Sequence, residues 1–421
     1  MDERAWLQAM LDFEAALARA TSPADAAEAI AAACVADGFD IAAIGRSTAD
    51  KGTPVPGLLS QLRAKLPDDA AQHVHRGATS QDVVDSAAML VARRALVPLL
   101  EDLAAAAEAS ATLAERYRDA PMAGRTLLQQ ALPVTFGLKA AGWLAGLDEV
   151  HMELAAVRSN ALALQLGGAV GTLASLGDEG LDVVKQVARS LDLAEPALPW
   201  QPLRTRPARL ACALGEAAGV MGKVALDVTL MAQTEVAEAA EGGGEGRGGS
   251  STLPHKRNPV GAVAVTACAT RVPGLVATML AAMPQEHERA AGAWQAEAET
   301  VSDLLRLTGS AAAALRELLG GLEPDPERMR RNLDLTGGLL MTESVVTALA
   351  PSIGHSKAQE LVEAAARRSL DEGRPVRELL AELPEVSGSI GEDGLDAALA
   401  PESYLGVAGR LIDRALEAHR G

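Results

Sequence analysis

A serine pair, a lysine and an asparagine lie close together in the strip SSTLPHKRNP, residues 250–259. Just upstream, six of the eight residues 242–249 are glycine, so the strip follows a flexible run whose amides are unobstructed. The order GxxxxGK[ST] is absent, which excludes a phosphate loop. A bare linker explains the glycines but not the SSxxPxKxNP order after them. Ser250 can take a proton from carbon only as an alkoxide or partial alkoxide. That demands nearby positive charge and hydrogen-bond donors to offset a very high intrinsic pKa. Lys256 supplies the charge and the glycine amides supply the donors. The same donors suit the aci-carboxylate dianion left when a proton departs from the carbon next to a carboxylate. A mobile strip can close over a substrate, exclude water and reopen. The constellation reads as proton transfer α to a carboxylate.

Two further segments set polar groups in apolar surroundings. In HVHRGATSQDVVD, residues 73–85, Thr79, Ser80 and Asp82 have the pattern of a helix start. Such a start also binds anions, because free amides and the helix dipole face outward there. His75 is close enough in sequence to orient or protonate a ligand, although a plain N-cap beside two surface histidines explains the same residues. In GRTLLQQALPVTFG, residues 124–137, Arg125, Thr126 and Gln129 fall at a break between two long helical patterns. Backbone groups are free at such a break, and a ligand or an ordinary capped turn would use them equally. Arg204 and Arg289 are candidate carboxylate clamps, since guanidinium binds carboxylates bidentately; pairing with the abundant glutamates is the alternative. His255 and Arg257 either touch substrate or flank the strip in solvent.

These residues must be positioned by helices. Of the 421 residues, 48% are apolar but only 2% aromatic, so alanine, leucine and valine carry the core. Helical periodicity runs through 81–117, 134–165, 208–240 and 260–321, each longer than an ordinary globular helix, and little alternates with period two. Long patterns of this kind predict an all-α chain built on a bundle of long helices. Their faces stay apolar nearly all round, as in GAVAVTACATRVPGLVATMLAAM, so the central helices are expected to pack against other subunits. A net charge of −18 argues against nucleic-acid binding but permits a local anion pocket. Cys34, Cys212 and Cys268 show no metal spacing and fit buried thiols in a reducing compartment. The acidic start MDERAWLQAML is unlike a signal peptide, and no uninterrupted apolar run spans a membrane. A cytoplasmic location is expected.

SSTLPHKRNP resembles the SSxMPxKxNP signature of the fumarase/aspartase superfamily, with Leu253 in place of Met. HRGATSQD (75–82) and GRTLLQQALP (124–133) resemble its HxGxTSxD and GRTHxQxAxP segments, in the same order. The resemblance implies three mostly helical domains, placed at 1–90, 91–335 and 336–421. The middle one carries the loop 242–259 and contributes to a twenty-helix core in a homotetramer. It further implies active sites shared by three subunits, a small di- or tricarboxylate substrate, and no metal or organic cofactor. Nucleic acid and membrane are not expected partners. Carried over by position, Ser250 matches the catalytic base, with His75 and Lys256 beside it. Lys256, Ser251 and Asn258 match contacts to the substrate carboxylate. Thr79 and Ser80 match anion binders, and Arg125, Thr126 and Gln129 match substrate contacts.

One departure bears on the chemistry. Superfamily members that cleave the C–N bonds of adenylosuccinate and argininosuccinate carry a histidine in THxQ, where this chain has Leu127. An amine leaves poorly without a proton, whereas a carboxylate, with pKa near ~4, departs or adds as the anion. Leu127 therefore points to a weakly basic migrating group. The segments GRTLLQQALPVTFGLKAAGWL and DPERMRRNLDLTGGLL look like the carboxymuconate cycloisomerases, which close a lactone in the protocatechuate branch of aromatic-acid breakdown. Gln201, Thr205, Gln295 and Ala298 depart from that pattern. A fumarate-releasing lyase of the adenylosuccinate or nitrosuccinate type is the other enzymatic reading, and a silent scaffold is the non-enzymatic one.

Overall fold

In a computed structural model, residues 2–242, 248–249, 252–253 and 255–421 are described. Ser250 and Ser251 lie outside the described residues. Among those described, the chain forms eighteen α-helices and four short strands, in keeping with the expected all-α class. The longest helices are α1 (Glu3–Thr21), α2 (Ser80–Arg116), α3 (Phe136–Ala156), α4 (Thr205–Met231), α5 (Val260–Ala281) and α6 (Glu297–Gly320). At a rise of 1.5 Å per residue, α2 is about 55 Å long.

Two of the long patterns are shorter as helices than the periodicity suggests. The run 260–321 divides into α5 and α6, because Pro284 offers no amide hydrogen and the chain turns through His287 (φ 48°) and Gly292 (φ 121°). The run 134–165 leaves α-helix at Ala156 and ends in a π turn over Val157–Ala161. The break at 117–135 is more ordered than a capped turn. Strands β1 (Pro121–Thr126) and β2 (Gln129–Thr135) pair antiparallel as a hairpin, and β3 (Ala239–Glu241) pairs antiparallel with β4 (Leu322–Pro324).

By packing, the chain divides into two units, neither contiguous in sequence. Met1–Ala104, Glu149–Gly222 and Ala264–Ala314 form the first; Ala105–Asp148, Lys223–Val263 and Leu315–Gly421 form the second. The first unit buries Leu11, Phe13 and Leu17 of α1 together with Ile30, Leu58 and Leu62. In the second unit, Phe136 stands edge-on to both Tyr117 and Trp143, using the scarce aromatics in one cluster. Its C-terminal helices enclose a separate apolar cluster, with Val345, Leu349, Val376, Leu379 and Leu380 at zero exposure.

The helix α5 is the exception to this burial. Its length and composition would suffice to cross a bilayer, although Arg271 interrupts the apolar run, and only 22% of its most apolar window is buried within the chain.

Candidate active site

In the first unit, the segment before α2 makes two left-handed turns, at His75 (φ 67°) and Gly77 (φ 79°). Gly77 has no alternative: a Cβ there would lie 2.5 Å from the Leu176 side chain. Asp82 then closes the helix start by accepting from the Thr79 amide at 3.0 Å. It also accepts from the Gly167 and Gly168 amides and from the side-chain amides of Gln165 and Gln201. Burial pushes the Asp82 carboxyl up to about 6, against the pull of these donors. Every one of these partners is a hydrogen-bond donor, which suits the charged form of the carboxyl. The result is a rigid, half-buried helix start at Thr79 and Ser80. Among the described residues, no hydrogen bond occupies either hydroxyl.

His75 is held from behind. Its Nδ1 lies 2.6 Å from Oε1 of Glu14, a residue of α1 whose side chain has no exposure. The helical wheel of α1 carries a signal for this glutamate: it falls on the face of the buried Leu7, Met10, Leu11 and Leu17. A charge on a buried stripe needs a partner, but the sequence does not name it.

Arg204 is not a substrate clamp. Its guanidinium grips Asp85 through two hydrogen bonds, at 2.8 and 2.9 Å, and Glu297 through two more, at 2.9 and 2.6 Å. It is 2% exposed and stacks 4.8 Å over the Trp200 ring. Burial pulls its pKa down, but the two carboxylates more than offset this and hold the pKa above the usual value. Trp294 adds a donor to Asp85 at 2.9 Å. Arg204, at the start of α4, therefore ties α2, α4 and α6 together by ion pairing. Ala298 and Gln295, two of the unusual positions, help line a neighbouring cavity of ≈ 170 Å³ with Trp6, Met89 and Trp294. Arg289 is exposed and donates to the Ala169 carbonyl at 2.7 Å.

In the second unit, the β1–β2 hairpin carries Arg125, Thr126 and Gln129. Its two-residue tip is Leu127 (φ 50°) and Leu128 (φ 67°), 97% and 75% exposed. Such tips favour Asn-Gly, because side chains crowd the backbone at positive φ. Thr126 and Gln129 are exposed beside the tip. Arg125 is already engaged: it meets the fully buried Glu238 through two hydrogen bonds of 2.8 and 2.7 Å, and Asn332 donates to the same carboxylate. Its guanidinium orients the hairpin rather than standing open to a ligand.

The signature strip is pinned at its base. Asn258 donates twice to the Gly248 carbonyl, from its backbone amide at 2.8 Å and from Nδ2 at 2.9 Å. Gly248 (φ 70°) must be glycine, since a Cβ would meet the Asn258 carbonyl oxygen at 2.4 Å. Glu241, just before the glycines, accepts from the Gly261 and Ala262 amides and so caps α5 just after the strip. Lys256 is exposed within this frame, as are His255 and Arg257, with Arg257 3.8 Å from Glu323. Asn258 thus has its Nδ2 spent on the loop itself. Glu14, Glu238 and Glu241 are the supporting groups that motif reading missed.

Residues 3–274 match the family described as lyase, and residues 338–415 match the adenylosuccinate lyase C-terminus. The chain is 47% identical to 3-carboxy-cis,cis-muconate cycloisomerase of Bradyrhizobium diazoefficiens, over 99% of its own length and 94% of the relative's. It is 43% identical to nitrosuccinate lyase of Streptomyces davaonensis, over 99% and 91% of the two chains. Among solved structures, 3-carboxy-cis,cis-muconate lactonizing enzyme from Pseudomonas putida superposes with a TM-score of 0.94 at 41% identity, covering 100% of this chain and 95% of the other. Family match, identity and helical fold agree: the chain belongs to the lyase family of the fumarase/aspartase superfamily and is an enzyme of that type.

Proposed function

We propose that the chain converts 3-carboxy-cis,cis-muconate into 4-carboxymuconolactone. One substrate carboxylate adds through oxygen across a ring-forming double bond, and a proton is added to the carbon α to another carboxylate. No group leaves, so the reaction is an isomerisation. Ser250 handles the proton at that carbon, with Lys256 offsetting charge on the aci-carboxylate. The helix start at Thr79 and Ser80, held rigid by Asp82, is suited to an anionic group of the substrate. One observation carries this choice within the superfamily: the exposed hairpin tip presents Leu127 and Leu128, neither of which can protonate a leaving amine.

The assay is direct. Purified protein incubated with 3-carboxy-cis,cis-muconate should bleach its conjugated-diene absorbance and give the lactone by NMR. The Streptomyces relative and the same Leu127 also fit elimination of nitrite, a weak base, from nitrosuccinate. Fumarate and nitrite from nitrosuccinate, with no turnover of the muconate, would move the assignment there.

We also infer a homotetramer whose sites combine motifs from three subunits. The support is apolar surface that one chain leaves uncovered: Val260, Val263 and Leu280 on α5 are 40%, 56% and 44% exposed, alongside the bare leucine tip. Val263→Asp should split the assembly, since a carboxylate buried between subunits costs several kcal/mol. Sedimentation velocity should show the wild type as four chains and the variant as smaller species with activity lost in parallel. A variant that sediments like the wild type would place α5 outside the interface. A cytoplasmic setting fits Cys34, Cys212 and Cys268, all free thiols.

A further inference from the structure

The buried carboxylate of Glu14 has no place in the chemistry described so far. It sits on the apolar face of α1 with 1% exposure, beside the buried Leu11, Phe13 and Leu17. Leaving a charge there unpaired would be strongly unfavourable. Its Oε1 lies 2.6 Å from Nδ1 of His75, and its Oε2 is buried with no hydrogen-bond partner. A carboxylate is an acceptor only, so the short contact requires a proton on Nδ1. Among the described residues, Nε2 of His75 has no partner, and the ring retains 15% exposure. The backbone supports the same placement: His75 is held at φ 67°, which costs about 1–2 kcal/mol for a residue with a Cβ. A strained turn and an orphaned buried oxygen are both tolerated to keep one ring nitrogen against α1.

We infer that Glu14 is a positioning residue that fixes His75 as the Nδ1–H form, so that Nε2 is the nitrogen offered to the substrate. The inference rests on the proposed function and on His75 belonging to its active site, as the superfamily resemblance implies. A carboxylate behind an imidazole selects the tautomer and locks the ring angle. Nε2 is then prepared to accept a hydrogen bond or a proton from a group bound at the Thr79–Ser80 helix start. Burial, with Glu14 adding to the effect, pushes the Cys34 thiol up to about 12 and keeps it neutral.

Glu14→Gln tests this with nearly unchanged volume. The glutamine amide can donate to Nδ1, which favours the opposite, Nε2–H form. Magic-angle-spinning ¹⁵N NMR of histidine-labelled protein, with His75 assigned through His75→Gln, should show a protonated Nδ1 and a bare Nε2 in the wild type. In Glu14→Gln the two nitrogens should exchange these signatures. Turnover should fall about 10- to 100-fold in kcat with KM changed little, the size expected for a group acting through another. Glu14→Asp, which shortens the reach but keeps the charge, should retain the wild-type tautomer and recover part of kcat. An Nε2–H ring in the wild type, or an unchanged tautomer in Glu14→Gln, would overturn the inference. The NMR result does not depend on which substrate is correct, so a failed muconate assay would sink the functional reading and leave this test standing.

Discussion

Arg204→Met is expected to cost about 3–5 kcal/mol of stability, the range for removing one partner from a buried ion pair. The methionine fills similar space, so the loss comes from charge rather than from a cavity. Without the guanidinium, Asp85 and Glu297 face each other in a buried site where Trp294, Gln81 and Gln285 are the remaining donors among the described residues. Against a typical total of about 5–15 kcal/mol, that is a large share. Urea unfolding at neutral pH should show it as a lower midpoint with an unchanged slope.

The pH dependence gives the sign. Burial already holds the Glu297 carboxyl above its ordinary range with Arg204 in place, and removing the cation raises it further. A carboxyl whose folded pKa exceeds its unfolded value destabilises the fold above that folded pKa. The penalty is relieved as pH falls through it toward about 4.3. The variant should therefore recover stability between neutral pH and pH 5, where the wild type should not gain as much. A variant as stable as the wild type at pH 7 would mean that the three helices are joined by packing alone.

Ser250→Ala is expected to remove turnover by a factor of about 10³ or more, since general acid–base catalysis contributes about 10²–10⁴-fold. Melting temperature and sedimentation should not change, because the substitution removes one hydroxyl from a polar, glycine-rich stretch of the sequence. Exchange of the substrate α-proton with deuterated solvent isolates the step: it should vanish in Ser250→Ala even where lactone ring opening is driven in reverse. Persistence of that exchange would transfer the proton to another group, with Nε2 of His75 the first to examine. Lys256→Met should also lower kcat, but through the charge it places near the aci-carboxylate rather than through the proton itself.

The helical class and the three polar segments were legible in the residues. Each depends on local order: periodicity along one chain, or residue types at fixed spacing. Helix ends were less legible, as the run 260–321 illustrates, because an apolar pattern continues across Pro284 and Gly292 while the backbone cannot. The hairpin at 121–135 was missed for a related reason. PMAGRT does not alternate, and its strand geometry comes from pairing with QQALPVT across a turn of two leucines at positive φ.

The division of labour among charged groups could be read only in three dimensions. By type alone, Arg125, Arg204 and Arg289 are equivalent carboxylate clamps. Folded, Arg204 is sealed between Asp85 and Glu297, Arg125 is fastened to Glu238, and Arg289 holds a backbone carbonyl. Their partners lie far away in sequence, 93 residues for Glu297 and 113 for Glu238, so no local spacing announces them. Sequence by itself determined which residue types could move a proton beside a carboxylate, because reactivity resides in the side chain. Tertiary structure decided which of those side chains are already spent, because a buried charge must be satisfied by whatever the fold brings to it.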